Sequence, residues 1–460
     1  MFKRVLIANR GEIAVRIIRA LREMGIESVA VYSTADRDSL FVKLADIAVC
    51  IGGPQPADSY LNIQNIVSAA VLSGADAIHP GFGFLSENAE FARVCAECGV
   101  IFIGPEAKTI ELMGNKSNAR STMKKHGVPV VPGSNQAIKN IDAALEIADQ
   151  IGYPVMLKAA AGGGGKGIRA IKDREDLIKK FPDAQRETKL SFDDDDMYIE
   201  KIIQSPKHVE VQVMGDSAGN ILAFPERDCS LQRGHQKMVE ESPCPLINPS
   251  EREYLMSVAT KAAKAINYLN TGTFEFLMDD QHHFYFMEMN TRLQVEHPIT
   301  EMVTGIDLVK MQIRVASGEK ISLKQSNIKI HGTAIECRIN SEDPVHNFLP
   351  QAGKIKSVHF PLGCPGARVD SAIENGSTIP PFYDSMIAKL IAHGSNRKED
   401  LAIMDRMLDE MSLVGVKSNL DFQQRLLHSP AVLKGNTTTD YIEKEFLPYW
   451  QAQLAEEKVG

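Results

Sequence analysis

The sequence predicts an α/β protein with more than one domain. Its N-terminal part alternates short apolar segments with amphipathic helical segments, the pattern of a doubly wound parallel sheet. A length of 460 residues exceeds what a single hydrophobic core usually holds, which indicates two or three domains. Hydrophobic residues make up 44% of the chain and charged residues 24%, the balance of an ordinary globular protein.

The elements of the N-terminal part follow one another as strands separated by helices or loops. We predict strands at residues 5–8, 28–32, 46–50 and 75–79, and helices at residues 12–24 and 61–72. No G-x-G-x-x-G follows the first strand, so a dinucleotide site is not predicted. The loop 79–88 carries Gly81 and Gly83 after the last of these strands. Open α/β sheets bind ligands at the carboxyl ends of their strands, so we expect this loop to contribute to a site.

Further domain boundaries follow from the helix signals and prolines. A helix begins at Lys116 and ends near Gly127, after which Pro129 and Pro132 mark the entry into a smaller unit. We predict domains at 1–113, at 114–331 with an inserted unit at about 132–203, and at 332–446, followed by a tail at 447–460.

Charge and cysteine usage exclude several classes of partner. The net charge is −8 and no basic tract stands out, so nucleic acid is not predicted as a partner. No apolar run approaches ~20 residues, and the sequence leads straight into a strand without a signal-peptide pattern. Seven cysteines in this length form no disulfide framework. These features predict a soluble cytoplasmic protein that does not enter a membrane.

A hairpin in the middle of the chain carries acidic residues inside apolar strands. Residues 271–278 and 284–287 are separated by a polar turn, and the symmetrical register sets Glu275 opposite Glu288. Facing Cβ atoms would lie ~4.5–5.5 Å apart, where like charges repel. A divalent cation such as Mg²⁺ would reverse that penalty. The alternation also places Glu288, Asn290 and Arg292 on one face. The alternative is a solvated hairpin with incidental charges.

A glycine run at residues 162–167 suits a polyphosphate. It follows a strand-like segment, and backbone without side chains can bring its N–H groups close to phosphate oxygens. Lys158 and Lys166 add positive charge. Ile168 stands where a P-loop would have lysine, so this is a different kind of loop; the alternative is a mobile linker.

Two further segments are candidates. His208, Glu210 and Gln212 alternate along one strand face, which is either solvated or part of a site. Residues 232–241 concentrate cations and amides that suit an anionic substrate beside a metal nucleotide, or else form a salt-bridged surface loop.

These motifs together resemble a known family. Lys158, the glycine run, Glu275, Glu288 and Asn290 resemble the ATP-grasp superfamily. The strings H-P-G-F-G-F-L-S-E-N, P-K-H-V-E-V-Q-V, E-R-D-C-S-L-Q-R and E-M-N-T-R-L-Q-V-E-H-P are similar to those of biotin carboxylases. The likeness spans nearly the whole chain. It implies an N-terminal Rossmann-like domain, an ATP-grasp domain with a mobile lid, and a C-terminal α/β domain.

The resemblance implies a two-step reaction and assigns its residues. ATP phosphorylates bicarbonate to carboxyphosphate, and the CO₂ released from it carboxylates biotin. The residues implied for ATP are Lys116, Lys158, Gly164, Gly165, Glu200, Lys201, Ile203, His208, Gln232, His235, Glu275, Leu277 and Glu288. Those implied for Mg²⁺ or Mn²⁺ are Glu275, Glu288 and Asn290. Those implied for bicarbonate are Lys237, Arg292, Gln294 and Val295. Glu296 is the implied base, Lys237 and Arg292 act beside it, and Arg338 would stabilise the biotin enolate.

The same resemblance implies a biotin site and partners. Phe82, Gly83 and Arg338 would contact biotin, although the family often has tyrosine where Phe82 stands. The biotin-attachment sequence Ala-Met-Lys-Met is absent, so biotin is expected on a separate carrier protein. Carboxyltransferase subunits and a homodimer are further expectations.

Two other functions remain open at the level of sequence. One is an ATP-grasp ligase joining a carboxylate to an amine, and the other is a nucleotide-binding regulator without activity. Within the biotin carboxylase interpretation, the final acceptor is acetyl-CoA, with pyruvate or another acyl-CoA as the alternatives.

Overall fold

A computed structural model describes residues 1–134, 136–159, 169–192 and 196–457, the side chains of 190–192 excepted. The chain divides into two compact units. The larger comprises Met1–Ala119, Lys207–Phe276 and Glu288–Gly460, and the smaller comprises Arg120–Pro206 and Leu277–Met287.

The N-terminal sheet has the predicted parallel, doubly wound form. Its strands are β1 (Arg4–Ile7), β2 (Glu27–Ser33), β3 (Ile47–Gly52), β4 (Ala77–His79) and β5 (Ile101–Phe102), in the order β3-β2-β1-β4-β5. Its helices are α1 (Gly11–Glu23), α2 (Leu40–Leu44), α3 (Ile63–Ser73), α4 (Ala89–Glu97) and α5 (Ala107–Gly114). All four strand pairs are parallel. The strand order reverses at β1, so the loops after β1 and β4 meet at the edge where such sheets bind ligands.

Both faces of this sheet are covered, because alternate residues of β1 enter different cores. Val5 and Ile7 pack with α1, whereas Leu6 packs with α3 and α4, as does Ala8 directly after the strand. Strands buried on both faces are continuously apolar, which is why the sequence shows short apolar runs rather than alternation here.

The smaller unit contains a three-stranded antiparallel sheet. Its elements are α6 (Lys116–Lys125, which begins in the larger unit), α7 (Ile141–Ile151), β6 (Val155–Ala159), β7 (Arg169–Ile171), α8 (Arg174–Phe192) and β8 (Met197–Lys201). The strands run in the order β7-β6-β8. The predicted helix beginning at Lys116 is confirmed. Leu157, Phe181 and Ile199 contribute to the unit's own core.

A long sheet follows in the middle of the chain. In chain order its strands are β9 (Lys207–Gly215), β10 (Ile221–Ala223), β11 (Arg227–Arg233), β12 (Gln236–Ser242), β13 (Asn270–Met278), β14 (Phe284–Asn290) and β15 (Thr333–Asn340). Between and after them lie α9 (Pro249–Ala265), α10 (His297–Thr304) and α11 (Leu308–Ala316).

The C-terminal part adds two strands to the long sheet, and its six other strands pair as three two-stranded sheets. Its strands are β16 (Glu342–Asp343), β17 (Leu349–Pro350), β18 (Gly353–Lys354), β19 (Ser357–His359), β20 (Ala367–Ser371), β21 (Thr378–Ile379), β22 (Met386–Gly394) and β23 (Ser412–Val414). Its helices are α12 (Arg397–Glu410), α13 (Leu420–Leu427), α14 (Pro430–Lys434) and α15 (Leu447–Glu457). The long sheet follows the order β14-β13-β9-β11-β12-β15-β22-β20, with β10 paired to β9. Thus β15, which lies beyond residue 331, pairs directly with β12.

The β13–β14 end of the long sheet agrees with one prediction and differs from another. The predicted hairpin is confirmed, since β13 and β14 are neighbours. The prediction that its strand face continues to Arg292 is wrong, because β14 ends at Asn290 and the chain turns there.

Within the described residues, no helix combines the length and apolar composition needed to cross a bilayer. All seven cysteines are free.

Candidate active site

Three carboxylates meet at one ammonium group in the larger unit. Lys237 Nζ, on β12, lies 2.6 Å from Glu210 Oε2, 2.6 Å from Glu296 Oε1 and 3.1 Å from Glu275 Oε1. Each of these carboxylates is buried. Buried like charges at such distances repel, and the shared ammonium offsets that repulsion. The structure therefore brings together three predicted site residues with Glu210.

Glu296 is held by cations on both oxygens. Its side chain is fully buried just before α10, and Oε2 accepts from Arg338 Nη2 at 2.9 Å. Burial raises the pKa of Glu296, but Lys237, Arg338 and Arg227 outweigh that effect and hold this pKa well below its usual range. Glu296 is therefore ionised at neutral pH, the state that a proton acceptor requires.

Arg338 is shared between two acids. Its Nε donates to Glu240 Oε1 at 2.6 Å, and Glu240 is fully buried on β12. Burial raises the pKa of Glu240 to about 7, although Arg338 opposes the shift. The guanidinium of Arg338 thus orients the carboxylate of Glu296 from a position that Glu240 fixes.

Both carboxylate oxygens of Glu275 have polar side chains as neighbours. His208 Nε2 lies 3.0 Å from Oε2, and Asn290 Nδ2 and Gln294 Nε2 each donate to Oε1 at 2.8 Å. Burial raises the pKa of Glu275, but Lys237 and His208 outweigh it and lower the pKa far below its usual range. The solvated-face alternative for His208 and its neighbours on β9 is wrong, because all nine residues of that strand are buried.

Arg292 lies in the turn after β14, with its guanidinium fixed by acceptors around it. Nε donates to Glu87 Oε2 at 2.8 Å, Nη1 to Gln294 Oε1 at 2.7 Å and Nη2 to Asn290 Oδ1 at 3.0 Å. Arg292 therefore sits beside the amides that contact Glu275, and Glu87 from the loop after β4 orients it.

The donor set suits a hard divalent cation. Mg²⁺ prefers carboxylate and amide oxygens, and Glu275 and Asn290 are in direct contact. Glu288 Oε2 lies 3.0 Å from Lys116 Nζ, with about a third of the Glu288 side chain exposed. His208, Glu210 and Glu275 also present ligand atoms within 4.8 Å of one another. The predicted opposition of Glu275 and Glu288 across the hairpin stays a prediction.

The residues of the smaller unit that are predicted to bind the nucleotide have different kinds of contacts. Lys158 on β6 forms an ion pair with Glu200 on β8. Lys201 Nζ instead donates to the backbone carbonyls of Gly152 and Tyr153, at 2.9 and 3.0 Å, so its side chain braces the local backbone. Ile203 follows β8 and Leu277 lies near the end of β13, both partly buried. Gly164 and Gly165, with the rest of the glycine run, lie outside the described residues.

The segment 232–241 is a hairpin rather than a surface loop. Gln232 is buried on β11, and His235 is exposed in the tight turn with φ 63°. Lys237 on β12 contacts the acidic cluster, which consists of Glu210, Glu275 and Glu296. The turn itself is tied down by Gly234, whose N–H donates to Glu443 Oε1 at 2.8 Å.

The loop after β4 is held from the loop after β1. Asn9 Nδ2 donates to the carbonyls of Pro80 and Phe82, each at 2.7 Å. Phe82 is partly buried, and Gly83 is exposed with φ 69°, a conformation that favours glycine. His79 Nδ1 accepts from Gly81 N–H at 3.1 Å, which fixes the start of the loop.

We expect His79 to make the fold sensitive to acid. Burial lowers the pKa of His79 to about 3. Between about pH 6.5 and pH 3 the imidazole is therefore protonated in the unfolded chain but neutral in the folded protein. This contribution to the free energy of unfolding is complete above pH 6.5. It is lost as the pH falls towards 3, on the order of 5 kcal/mol in all. Urea unfolding of His79→Asn, which keeps an acceptor, should show a flatter loss between those pH values. Parallel pH profiles for the two proteins would contradict this assignment.

Several site residues were not singled out from the sequence. Arg227 is fully buried, and its Nε donates to Glu210 Oε1 at 2.6 Å while Nη1 donates to Thr300 Oγ1 at 2.9 Å. Cys229 Sγ lies 3.7 Å from Glu296 Oε1. Glu210 had a signal in the alternation of β9, and Glu87 and Arg227 lie inside family-like strings, but spacing alone does not predict their contacts.

Three family models match the chain in succession. The biotin carboxylase N-terminal domain matches residues 1–110, the ATP-binding domain of the carbamoyl-phosphate synthase L chain matches 115–324, and the biotin carboxylase C-terminal domain matches 336–444. Biotin carboxylase 1 of Bacillus subtilis is 53% identical over 444 residues, covering 96% of this chain and 98% of that protein. A pyruvate carboxylase subunit of Methanothermobacter thermautotrophicus is 49% identical over 444 residues, covering 96% and 90%.

A solved structure agrees over the same extent. The biotin carboxylase domain dimer of Hydrogenobacter thermophilus 2-oxoglutarate carboxylase, in complex with MgADP, ADP and bicarbonate, aligns with a TM-score of 0.89. It is 48% identical and covers 96% of this chain and 98% of that one. The fold, the acidic cluster and these matches define the class as an ATP-grasp ligase. Within that class, the chain belongs to the biotin carboxylase family.

Proposed function

We propose that this chain carboxylates biotin on a separate carrier protein, using ATP and bicarbonate. The observation that carries the proposal is the ionised, fully buried Glu296 between Lys237 and Arg338. A ligase that joins a carboxylate to an amine needs the nucleotide site but has no evident use for this arrangement of base and cations.

The two steps require different groups. Phosphoryl transfer from ATP depends on positioning and charge neutralisation, which lysines and backbone donors supply. We assign ATP to Lys116, Lys158, Gly164, Gly165, Glu200, Lys201, Ile203, His208, Gln232, His235, Glu275, Leu277 and Glu288. For Lys201 the assignment is to its backbone, because its side chain is engaged elsewhere. A bound Mg²⁺ held by Glu275, Glu288 and Asn290 would supply charge neutralisation at the phosphates.

Glu296 is the proposed base toward bicarbonate. In the present arrangement its carboxylate is strongly stabilised by Lys237 and Arg338, which makes it a weak proton acceptor. An incoming bicarbonate bound by Lys237, Arg292, Gln294 and the Val295 backbone would draw Lys237 away from Glu296. The pKa of Glu296 would then rise, so substrate binding itself would prepare the base.

Arg338 is the residue proposed to act in the second step, the carboxylation of biotin. Once the contact to Glu296 is relaxed, its guanidinium is the cation available to an enolate of biotin, with Glu240 still holding it in place. Phe82 and Gly83 are the proposed walls for biotin. Phe82 has no hydroxyl, so this contact would be apolar.

The assembly and the acceptor are also proposals. Members of this family act with a carrier protein, and we propose a biotin carboxyl carrier protein and carboxyltransferase subunits as partners, with a homodimer in solution. Acetyl-CoA is the proposed final acceptor; pyruvate or another acyl-CoA is the alternative, and the Methanothermobacter relative favours pyruvate. The domain boundaries at residues 113 and 331 and the cytoplasmic location belong to the same proposal.

The proposal is tested by the substrate dependence of ATP cleavage. ADP release should require bicarbonate and should increase several-fold on addition of free biotin. An amine-ligating enzyme would release ADP with its own carboxylate and amine and would ignore biotin. A regulator without activity would bind ATP without cleaving it under any of these conditions.

Replacing Arg292 should weaken bicarbonate binding more than ATP binding. Arg292→Ala removes charge-assisted contacts worth roughly 1.5–3 kcal/mol. The KM for bicarbonate should therefore rise by at least about tenfold while the KM for ATP changes little. Glu87→Gln, which only loosens the orientation of Arg292, should give a smaller rise. An unchanged KM for bicarbonate in Arg292→Ala would remove Arg292 from that site.

A further inference from the structure

A buried lysine that none of the foregoing uses contacts the backbone next to the proposed base. Lys389 lies on β22 and its side chain is fully buried. Its Nζ donates to the carbonyl oxygen of Val295 at 2.8 Å. Val295 precedes Glu296, so this contact fixes the peptide that carries the base.

Lys389 also stands next to Arg338. The two residues are direct partners in the antiparallel pairing of β15 and β22, and facing residues point to the same side of a sheet. Arg338 holds the Glu296 carboxylate at 2.9 Å, while Lys389 holds the peptide before it. Two neighbouring cations of one sheet therefore fix the base at its carboxylate and at its backbone.

Each of the two cations, Arg338 and Lys389, forms an ion pair with a buried carboxylate. Glu240 pairs with Arg338 at 2.6 Å, and Glu12 Oε1 on α1 lies 3.0 Å from Lys389 Nζ. Among the residues that the structure describes, the Glu12 oxygens have no other partner within hydrogen-bond distance. A buried ammonium and carboxylate are costly to desolvate, so the pair is a weak source of stability and an apolar pair would serve the fold as well.

Lys389 reaches the second loop of the site as well. Its Nζ lies 5.9 Å from the ring centroid of Phe82, at the limit of a cation–π contact. One side chain thus touches both the loop after β4 and the turn before α10.

We propose that Lys389 is a positioning residue for the carboxylation reaction, holding the Val295–Glu296 peptide so that the base meets bicarbonate. The inference rests on the proposed function, since it concerns the same base. Displacement of a reacting group by about 1 Å can cost ~10²-fold in rate. The contact of Lys389 Nζ with the Val295 carbonyl restrains the peptide on which the base is carried.

The test compares two variants of this pair with a matched pair elsewhere. Lys389→Met removes the contact and leaves Glu12 without its cation, whereas Asp370, which lies 3.9 Å from Lys389 Nζ, keeps its ion pair with Arg368 at 2.7 Å. Glu12→Gln combined with Lys389→Met removes both charges and should recover most of the thermal stability. The matched pair is Arg252 and Glu226, since Arg252 Nε contacts Glu226 Oε2 at 2.8 Å and Nη2 donates to the Ile247 carbonyl at 3.2 Å. These partners lie at the start of α9 and before β11, and neither belongs to the turn at 291–296.

Bicarbonate-dependent ADP release and thermal unfolding are measured for all variants. We expect kcat to fall ~10²-fold in both Lys389 variants, with a raised KM for bicarbonate and an unchanged KM for ATP. The double variant should regain stability without regaining kcat. Arg252→Met and Glu226→Gln combined with Arg252→Met should keep the wild-type kcat.

Two results would overturn the proposal. One is a double variant that recovers stability and kcat together, because Lys389 would then serve the fold alone. The other is an equal loss of kcat in the Arg252 variants, because any buried pair would then have the same effect. Wild-type protein without bicarbonate-dependent ADP release would instead contradict the proposed function, which separates the two failures.

Discussion

Glu296→Gln should lower the rate of bicarbonate-dependent ATP cleavage by ~10²–10⁴-fold while bicarbonate affinity changes comparatively little. The amide keeps the size and polarity of the carboxylate but cannot accept a proton at neutral pH. Lys237 and Arg292, the cations proposed to bind bicarbonate, remain in place. Steady-state kinetics with bicarbonate as the varied substrate distinguish a loss in kcat from a loss in KM.

A matched substitution controls for the removal of a buried charge. Glu226 is fully buried and paired with Arg252 as Glu296 is with Arg338, but it is not one of the three carboxylates that contact Lys237. Glu226→Gln should lose stability without a comparable loss of rate. Turnover by Glu296→Gln within a few-fold of wild type would remove Glu296 from the mechanism.

Glu288→Gln should lower ATP cleavage by orders of magnitude without unfolding the protein. We propose that its carboxylate is a ligand of Mg²⁺, and an amide is a neutral, weaker ligand for a hard cation. Its side chain is about one-third exposed and its ion pair with Lys116 is superficial, so little folding energy depends on it.

The metal dependence provides the readout. The Mg²⁺ concentration for half-maximal ATP cleavage should rise in Glu288→Gln, whereas thermal unfolding of the free protein should stay close to wild type. Glu253→Gln, an exposed acid on α9, is the control and should change neither. A Glu288→Gln protein with normal Mg²⁺ dependence would contradict the assignment of Glu288 as a ligand.

The sequence predicted those parts of the fold that local patterns determine. Alternating apolar strands and helices predicted the parallel N-terminal sheet, and two aromatic runs around a polar turn predicted the β13–β14 hairpin. The strand pattern failed at Arg292, where the prediction extended the strand face past Asn290. The alternation of side chains does not show at which residue a strand ends when the following residues are polar. Here Arg292 lies in a turn, where Glu87 and Gln294 accept hydrogen bonds from its guanidinium.

The site was predictable only as far as the resemblance reached. It named Arg292, Val295 and Glu296, but the residues that contact Arg292 and Val295 come from distant segments. Glu87 contacts Arg292 across 205 residues, and Lys389 contacts Val295 across 94. Pairings of this kind depend on which strands become neighbours in the sheet. No spacing within one segment encodes them.

Transfer of labelled carbon from bicarbonate to biotin tests the central claim most directly. Purified protein is incubated with ATP, Mg²⁺, labelled bicarbonate and free biotin, and acid-labile label on biotin is counted. We predict label on biotin that requires ATP and is greatly reduced in Glu296→Gln. Bicarbonate-dependent release of ADP without any label on biotin, or labelling that persists without ATP, would contradict the account.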